Sequence, residues 1–216
     1  MKILVLDNYD SFTYNLVQLL RELTECRVDV RRNDEITLDE VGQYSKILLS
    51  PGPGIPAEAG IMGKLIKEYA SSKSILGICL GMQGIAEVFG CKLYNLESVF
   101  HGKVGLVKKT SNDERLFRQL PDEFEAGRYH SWAVQYSDIP DEISVTALDK
   151  QGIIMALAHK DYDVKGVQFH PESVMTPFGK QILSNWLAGV SLPLQLVSPD
   201  NHSFDLNNLT SPNLFC

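Results

Sequence analysis

The chain has 216 residues, 44% of them hydrophobic and 22% charged, which is enough for one large α/β domain or two small ones and too apolar for a disordered chain. Its formal charge of −7, with no dense Lys/Arg block beyond the short pairs Arg31-Arg32 and Lys108-Lys109, argues against nucleic acid or an anionic membrane surface as the main partner. No apolar run reaches the ~18 residues of a membrane span, and the opening MKILVLDNYD is too short for a signal peptide, so a cytoplasmic protein with reduced thiols is expected.

In chain order, residues 3–6 form a short continuous apolar run of strand type. After DNYDSF, apolar residues at Phe12, Leu16, Leu19, Leu20 and Leu23 predict a helix, with Asp10 or Ser11 as its N-cap. Residues 27–31 alternate as a second strand, and 37–43 suit a short helix. A third strand at 46–49 is stopped by SPGPG. Ile61, Leu65, Ile66 and Tyr69 mark a helix, 75–78 a fourth strand, and 80–89 the helix behind it. Strands alternating with helices imply βαβ units and a mostly parallel sheet covered on both faces. The second half is richer in strand signals, at 100–109, 124–130, 143–148, 153–159 and 166–169. A last helix is predicted from Thr176-Pro177, with Thr as cap and Pro at the first helical position. No internal repeat is present. After Val190 the pattern decays into an Asn-, Ser- and Pro-rich tail, so the expected division is a domain over 1–190 and an extension of unknown role over 191–216. Two Asn-x-Ser/Thr matches in it, at Asn201 and Asn208, read as chance.

Ligands in parallel α/β sheets bind beyond the carboxyl ends of the strands. DNYDSF, SPGPG and Cys79 all fall at such ends. Cys79 sits in the frame Gly77-Ile78-Cys79-Leu80-Gly81, the strand–turn–helix spacing of a nucleophile elbow with sulfur in place of oxygen. The following helix directs its positive end at the sulfur and favours thiolate, and the Leu80 N–H is a candidate oxyanion donor. A free cysteine is more often a small buried hydrophobe; the glycine frame reverses that at Cys79, whereas Cys26, Cys91 and Cys216 keep it.

A nucleophilic thiol needs a base. Among five histidines, His170 in GVQFHPES ends a predicted strand with Glu172 two residues on. Pro171 favours an extended His170, so the two side chains point the same way and the carboxylate can fix the imidazole tautomer. On spacing alone an ordinary surface salt bridge is equally good; Cys79 tips the balance towards a Cys–His–Glu set. Ser50–Gly54 is a rigid turn whose Gly52 and Gly54 amides can help hold an oxyanion, although alone it reads as a plain turn. Tyr129–Trp132, YHSW, is a weak polar-ligand signal by itself.

Together SPGPG, GICLGMQ, YHSW and GVQFHPES resemble, in order and spacing, the class I (triad-type) glutamine amidotransferases, over roughly residues 1–190. The opening LDNYDSFTYNLVQ is similar to that of the glutaminase components of anthranilate synthase and aminodeoxychorismate synthase. The resemblance implies a flavodoxin-like core with added β-strands and no metal or organic cofactor. It implies that Cys79 attacks the glutamine side-chain amide, that His170 moves the protons, and that Glu172 orients His170. It further implies that the amides of Gly54 and Leu80 hold the oxyanion, and that Gly52, Pro53, Gly54, Gln83, Ser131 and Trp132 line the glutamine site. The product ammonia would pass to a chorismate-binding synthase subunit in a heteromeric complex, with DNYDSF as a contact. The family commonly has histidine at Met82 and leucine at Trp132. Rival readings are a cysteine peptidase or γ-glutamyl hydrolase on a related fold, and a binding module with a dead site.

Overall fold

The computed structural model describes residues 1–97, 100–110, 114–137 and 139–189. Strand β1 (Lys2–Asp7) leads to helix α1 (Thr13–Leu23), β2 (Arg27–Arg32) to the single turn α2 (Leu38–Val41), and β3 (Lys46–Leu49) to α3 (Met62–Tyr69). Then come β4 (Ser74–Ile78) and α4 (Leu80–Val88). Seven strands follow: β5 (Leu93–Asn95), β6 (Lys103–Lys109), β7 (Glu123–Arg128), β8 (Trp132–Val134), β9 (Ile143–Asp149), β10 (Ile154–His159) and β11 (Val164–Val167). Helix α5 (Gly179–Leu187) closes the described chain.

Among the described residues, one nine-stranded sheet runs in the order β2-β1-β3-β4-β11-β10-β9-β6-β7. The first five strands are mutually parallel and the rest antiparallel. The order reverses between β1 and β3, which is where an open α/β sheet leaves a crevice beyond its carboxyl edge. The inner parallel strands β1, β3 and β4 are nearly continuous apolar runs because both faces are covered, whereas the edge strand β2 alternates. Ile3 and Val5 of β1 face a core with Leu16, Val17 and Leu20 of α1 and Ile182, Leu183 and Trp186 of α5. Leu4 and Leu6 face the opposite core, with Leu65 and Ile66 of α3 and Met82 and Ile85 of α4. Each such fully buried side chain contributes ~1.5–3 kcal/mol over leaving it in water.

Several boundaries differ from the sequence expectation, and at two helix starts the cause is a side chain that finds a better partner. Phe12, not Asp10 or Ser11, precedes α1, and it provides no side-chain cap. The Asp10 carboxylate instead accepts the Phe12 N–H at 2.8 Å in the preceding turn. Helix α5 starts at Gly179, not after Thr176. The Thr176 hydroxyl is engaged elsewhere, donating to the His170 carbonyl at 2.6 Å and accepting the Gly127 N–H at 3.0 Å. The strand expected at 166–169 is β11, two residues earlier, so His170 stands beyond its end. The three-residue β5 and β8 form a separate two-stranded sheet; runs that short carry no readable alternation. Residues 191–216, with Asn201, His202, Asn208 and Cys216, lie outside the described residues.

Candidate active site

Cys79 follows the last residue of β4 and precedes α4, with φ 51° and ψ −103°. Positive φ in a non-glycine residue is unusual and costs of order 1–3 kcal/mol, held only where the surroundings enforce it. Here they do. The Cys79 N–H donates to Val167 O at 2.8 Å, and its carbonyl accepts the Gln83 N–H at 3.0 Å. One anchor is the neighbouring strand, the other the helix that follows.

Strand β11 brings in the second group. It pairs parallel with β4, with Gly77 opposite Gly166 and Ile78 opposite Val167. One further step sets Cys79 beside Gln168, whose side-chain amide donates to Sγ at 3.4 Å. Two residues on, His170 is 3% exposed and Glu172 8%. His170 Nδ1 and Glu172 Oε1 lie 2.6 Å apart. The His170 backbone is fixed by its N–H to Gly127 O at 3.0 Å. The Tyr129 ring meets the imidazole edge-on, with centroids 4.8 Å apart. Burial opposes a charge on His170, but the adjoining Cys79 sulfur and Glu172 carboxylate outweigh it and raise its pKa to about 10. Among the described residues no hydrogen bond reaches the buried Nε2; the Cys79 sulfur is the neighbouring group that favours a proton on the ring. Chemically the arrangement could supply a sulfur nucleophile, an imidazole that readily holds a proton, and a carboxylate to orient the imidazole.

An imidazole with a folded-state pKa of about 10, against ~6.5 unfolded, contributes stability that is fully present below the lower value and lost as pH rises through the upper one. The stability difference between wild type and His170→Gln should therefore be largest near pH 6 and shrink towards pH 10 in thermal unfolding. Lys46 runs the other way, because burial lowers its ammonium to about 8, but it is common to both proteins. Parallel pH curves would refute the charged pair.

The remaining predicted site residues surround this centre unevenly. Gly52 lies against Asn8 and Leu80: an added Cβ would stand 2.5 Å from Asn8 O and 2.8 Å from Leu80 Cδ2. Gly54 has φ 73°. Pro53, Gly54 and Leu80 line a cavity of about 410 Å³, together with Asn8, Tyr9, Asn33 and Asp34 among others. The Leu80 N–H is among the first of helix α4, which lack partners within the helix. Gln83 is buried, and its side-chain amide donates to Trp132 O and to Gln168 Oε1, both at 3.1 Å. Ser131 and Trp132 are half-buried at the entry to β8. Trp132 thus meets Gln83 through its backbone. Met82 is fully buried in the core and packs towards Gly166, away from the sulfur.

Two residues of the site were not singled out from sequence. Gln168 shares a face with His170 by the two-residue strand period, a signal available in GVQFHPES. Asn8 ties three loops together: its N–H donates to Ser50 Oγ and its amide to Ser50 O, both at 2.8 Å, and it accepts from Asn33 at 3.0 Å. No periodicity points to it.

A cysteine on a strained strand–helix turn, beside a His–Glu pair at the carboxyl edge of a parallel sheet, is an arrangement able to support sulfur-nucleophile chemistry on an α/β fold. The sequence matches the glutamine amidotransferase class-I family over residues 4–190, and the chain belongs to that family. It is 48% identical over 187 residues to the aminodeoxychorismate/anthranilate synthase component 2 of Bacillus subtilis, covering 86% of this chain and 95% of that one. It is 44% identical over 188 residues to anthranilate synthase component 2 of Cyanophora paradoxa, covering 86% and 97%. A crystal structure of a glutamine amidotransferase from Thermotoga maritima superposes with TM-score 0.70 at 20% identity, over 87% of this chain and 81% of that one, and shares the fold. Among the described residues no helix is long and apolar enough to cross a membrane.

Proposed function

We propose that this glutamine amidotransferase is the glutaminase component of an anthranilate synthase, releasing ammonia from L-glutamine for a chorismate-binding partner subunit. The observation that carries the reading is the meeting of the Cys79 elbow with the His170–Glu172 pair in a chain so similar to proteins of that name. In this reading Cys79 Sγ attacks the side-chain carbonyl carbon of glutamine while the thiol proton passes to His170. The amides of Leu80 and Gly54 hold the resulting oxyanion. His170 returns the proton to the amide nitrogen, the C–N bond breaks, and ammonia leaves a γ-glutamyl thioester on Cys79. Water then adds to the thioester carbon and gives a proton to His170, which passes it to the departing sulfur, releasing glutamate. Gly52, Pro53, Gln83, Ser131 and Trp132 complete the glutamine-binding wall. The amidotransferase domain is taken as residues 1–190, with 191–216 as an extension. The thiols of Cys79 and Cys91 fit a reducing, cytoplasmic setting.

Ammonia in neutral water is mostly protonated and a poor nucleophile, which favours direct transfer to a docked partner. The carboxyl edge of the sheet has the surface for it: Tyr9, Phe12 and Tyr14 are exposed, at 49%, 44% and 67%. The patch is continuous with the site, since the Phe12 ring lies 6.1 Å from that of Tyr129, which touches His170. A subunit serving aminodeoxychorismate synthase, alone or as well, is the second reading, favoured by the dual name of the Bacillus subtilis relative. The experiment is glutamine-dependent product formation with each type of synthase subunit. Phe12→Ala should weaken complex formation by at least about tenfold, as loss of a buried aromatic anchor does. Glutamine hydrolysis unaltered by either synthase, with no complex formed, would overturn the heteromeric reading.

A further inference from the structure

We propose that His130, locked into one tautomer by Arg128, is a positioning residue that fixes the Ser131–Trp132 wall of the glutamine pocket. The inference rests on the glutamine site proposed above and adds a residue to it.

The wall needs an outside support. Among the described residues, strand β8 is three residues long and pairs only with the equally short β5, in a ribbon separate from the main sheet. A lone two-stranded ribbon is marginally stable in water. Two hydrogen bonds to one atom supply the support. The Trp132 carbonyl accepts from Gln83 Nε2 at 3.1 Å and pairs with His130 Nδ1 at 2.9 Å. A carbonyl oxygen has two lone pairs, and both are used. Because a carbonyl only accepts, Nδ1 must carry the proton.

The other ring nitrogen is also specified. Arg128 Nε lies 3.3 Å from His130 Nε2, and a guanidinium N–H only donates, so Nε2 is the acceptor. The two contacts agree on a neutral ring with its proton on Nδ1. Arg128 is itself fixed, by an ion pair of 2.7 Å to Asp149, with both side chains almost wholly buried. The Phe100 ring lies 3.6 Å from the guanidinium carbon. Asp149 in turn accepts the N–H groups of Gln151 and Ile153, each at 2.8 Å. A chain of directed contacts therefore runs from Asp149 through Arg128 and His130 to the Trp132 carbonyl, on to Gln83, and by Gln168 to Cys79 Sγ. Burial first, and the Arg128 and His170 charges next, hold the His130 ring neutral, with its pKa pushed down to about 4. The ring thus keeps the same donor pattern across the physiological range. Tyr129, the residue before, sends its ring to His170 instead. One short segment therefore sets the catalytic imidazole and the substrate wall from adjacent residues.

The test compares two substitutions in the wild-type chain bound to its synthase partner. In His130→Asn the amide nitrogen can stand where Nδ1 stands and still donate to Trp132 O. In His130→Leu nothing can. The Leu variant should raise KM for glutamine about tenfold, the usual scale for a lost buried hydrogen bond, with kcat changed less than about threefold. The Asn variant should keep KM within about threefold of wild type. Should the Leu variant fail to fold, His130→Gln replaces it, since its longer amide reaches Arg128 but leaves the Nδ1 position empty. Equal KM values for wild type and the Leu or Gln variant would overturn the inference, as would an Asn variant no better than Leu. A wild-type complex that releases no ammonia from glutamine would instead overturn the proposed function on which the inference rests.

Discussion

Cys79→Ser is expected to abolish glutamine hydrolysis, while the complex with the proposed synthase subunit should continue to work on added ammonium. The fall in kcat should exceed about 10³-fold, since removing the nucleophile of a cooperative catalytic set costs about as much as removing the whole set. The substitution is nearly isosteric, so the elbow and its hydrogen bonds to Val167 and from Gln83 are retained. What changes is the chemistry of the side chain. An alkoxide is far harder to form than a thiolate, and the sulfur's support for a proton on His170 is lost with it. The ammonium control separates this from a general failure of the complex, because ammonia supplied in solution bypasses the nucleophile. Glutamine turnover by the Ser variant within tenfold of wild type would remove Cys79 from its proposed role. So would failure to trap a γ-glutamyl adduct on Cys79 in the wild type.

The parts of the site readable from sequence are those governed by local geometry. An apolar run followed by a Gly-x-Cys-x-Gly frame and a helical pattern marks a strand–turn–helix, because small residues and period fix that structure over ten residues. Similarly, His170 and Glu172 are two positions apart across a proline, and extended backbone alone brings their side chains together at 2.6 Å. Which strands neighbour one another is a different matter. That β11 lies beside β4 follows from the packing of the whole sheet, and Gln168 reaches Cys79 only through that pairing. Likewise Arg128 and Asp149 are separated by a crossover, so their ion pair and its hold on His130 left no trace in the spacing of residues. The helix starts differ from the cap positions expected by residue type for a related reason. Asp10 and Thr176 are good caps by type, but Phe12 N–H and the His170 loop offered them nearer partners.

The second large effect is expected at the glycines of the elbow, where the backbone itself is the constraint. Built on Gly77, a Cβ would overlap the carbonyl group of Gly81; built on Gly81, it would stand 2.5 Å from Leu49 O and 2.7 Å from Leu49 Cβ. None of these neighbours is the free end of a flexible side chain, so β3, β4 and α4 must move apart to admit one methyl group. Overpacking of this kind costs about 1–3 kcal/mol and occasionally more. At ~2–4 °C per kcal/mol for a chain of this size, Gly77→Ala or Gly81→Ala should lower the melting temperature by up to about 12 °C. The loss of activity should be larger than the loss of stability. Cys79 keeps its φ of 51° only because β4 and α4 meet so closely there, and a relaxed elbow turns Sγ away from His170 and the Leu80 amide out of oxyanion reach. Misplacement by about 1 Å can cost 10²-fold in rate. Gly63, by contrast, lies in α3 with no atom within 4 Å of its added Cβ, so Gly63→Ala is the control that should leave both quantities near wild type. If Gly77→Ala and Gly81→Ala match that control in melting temperature and glutamine turnover, the strained turn is not what presents the sulfur.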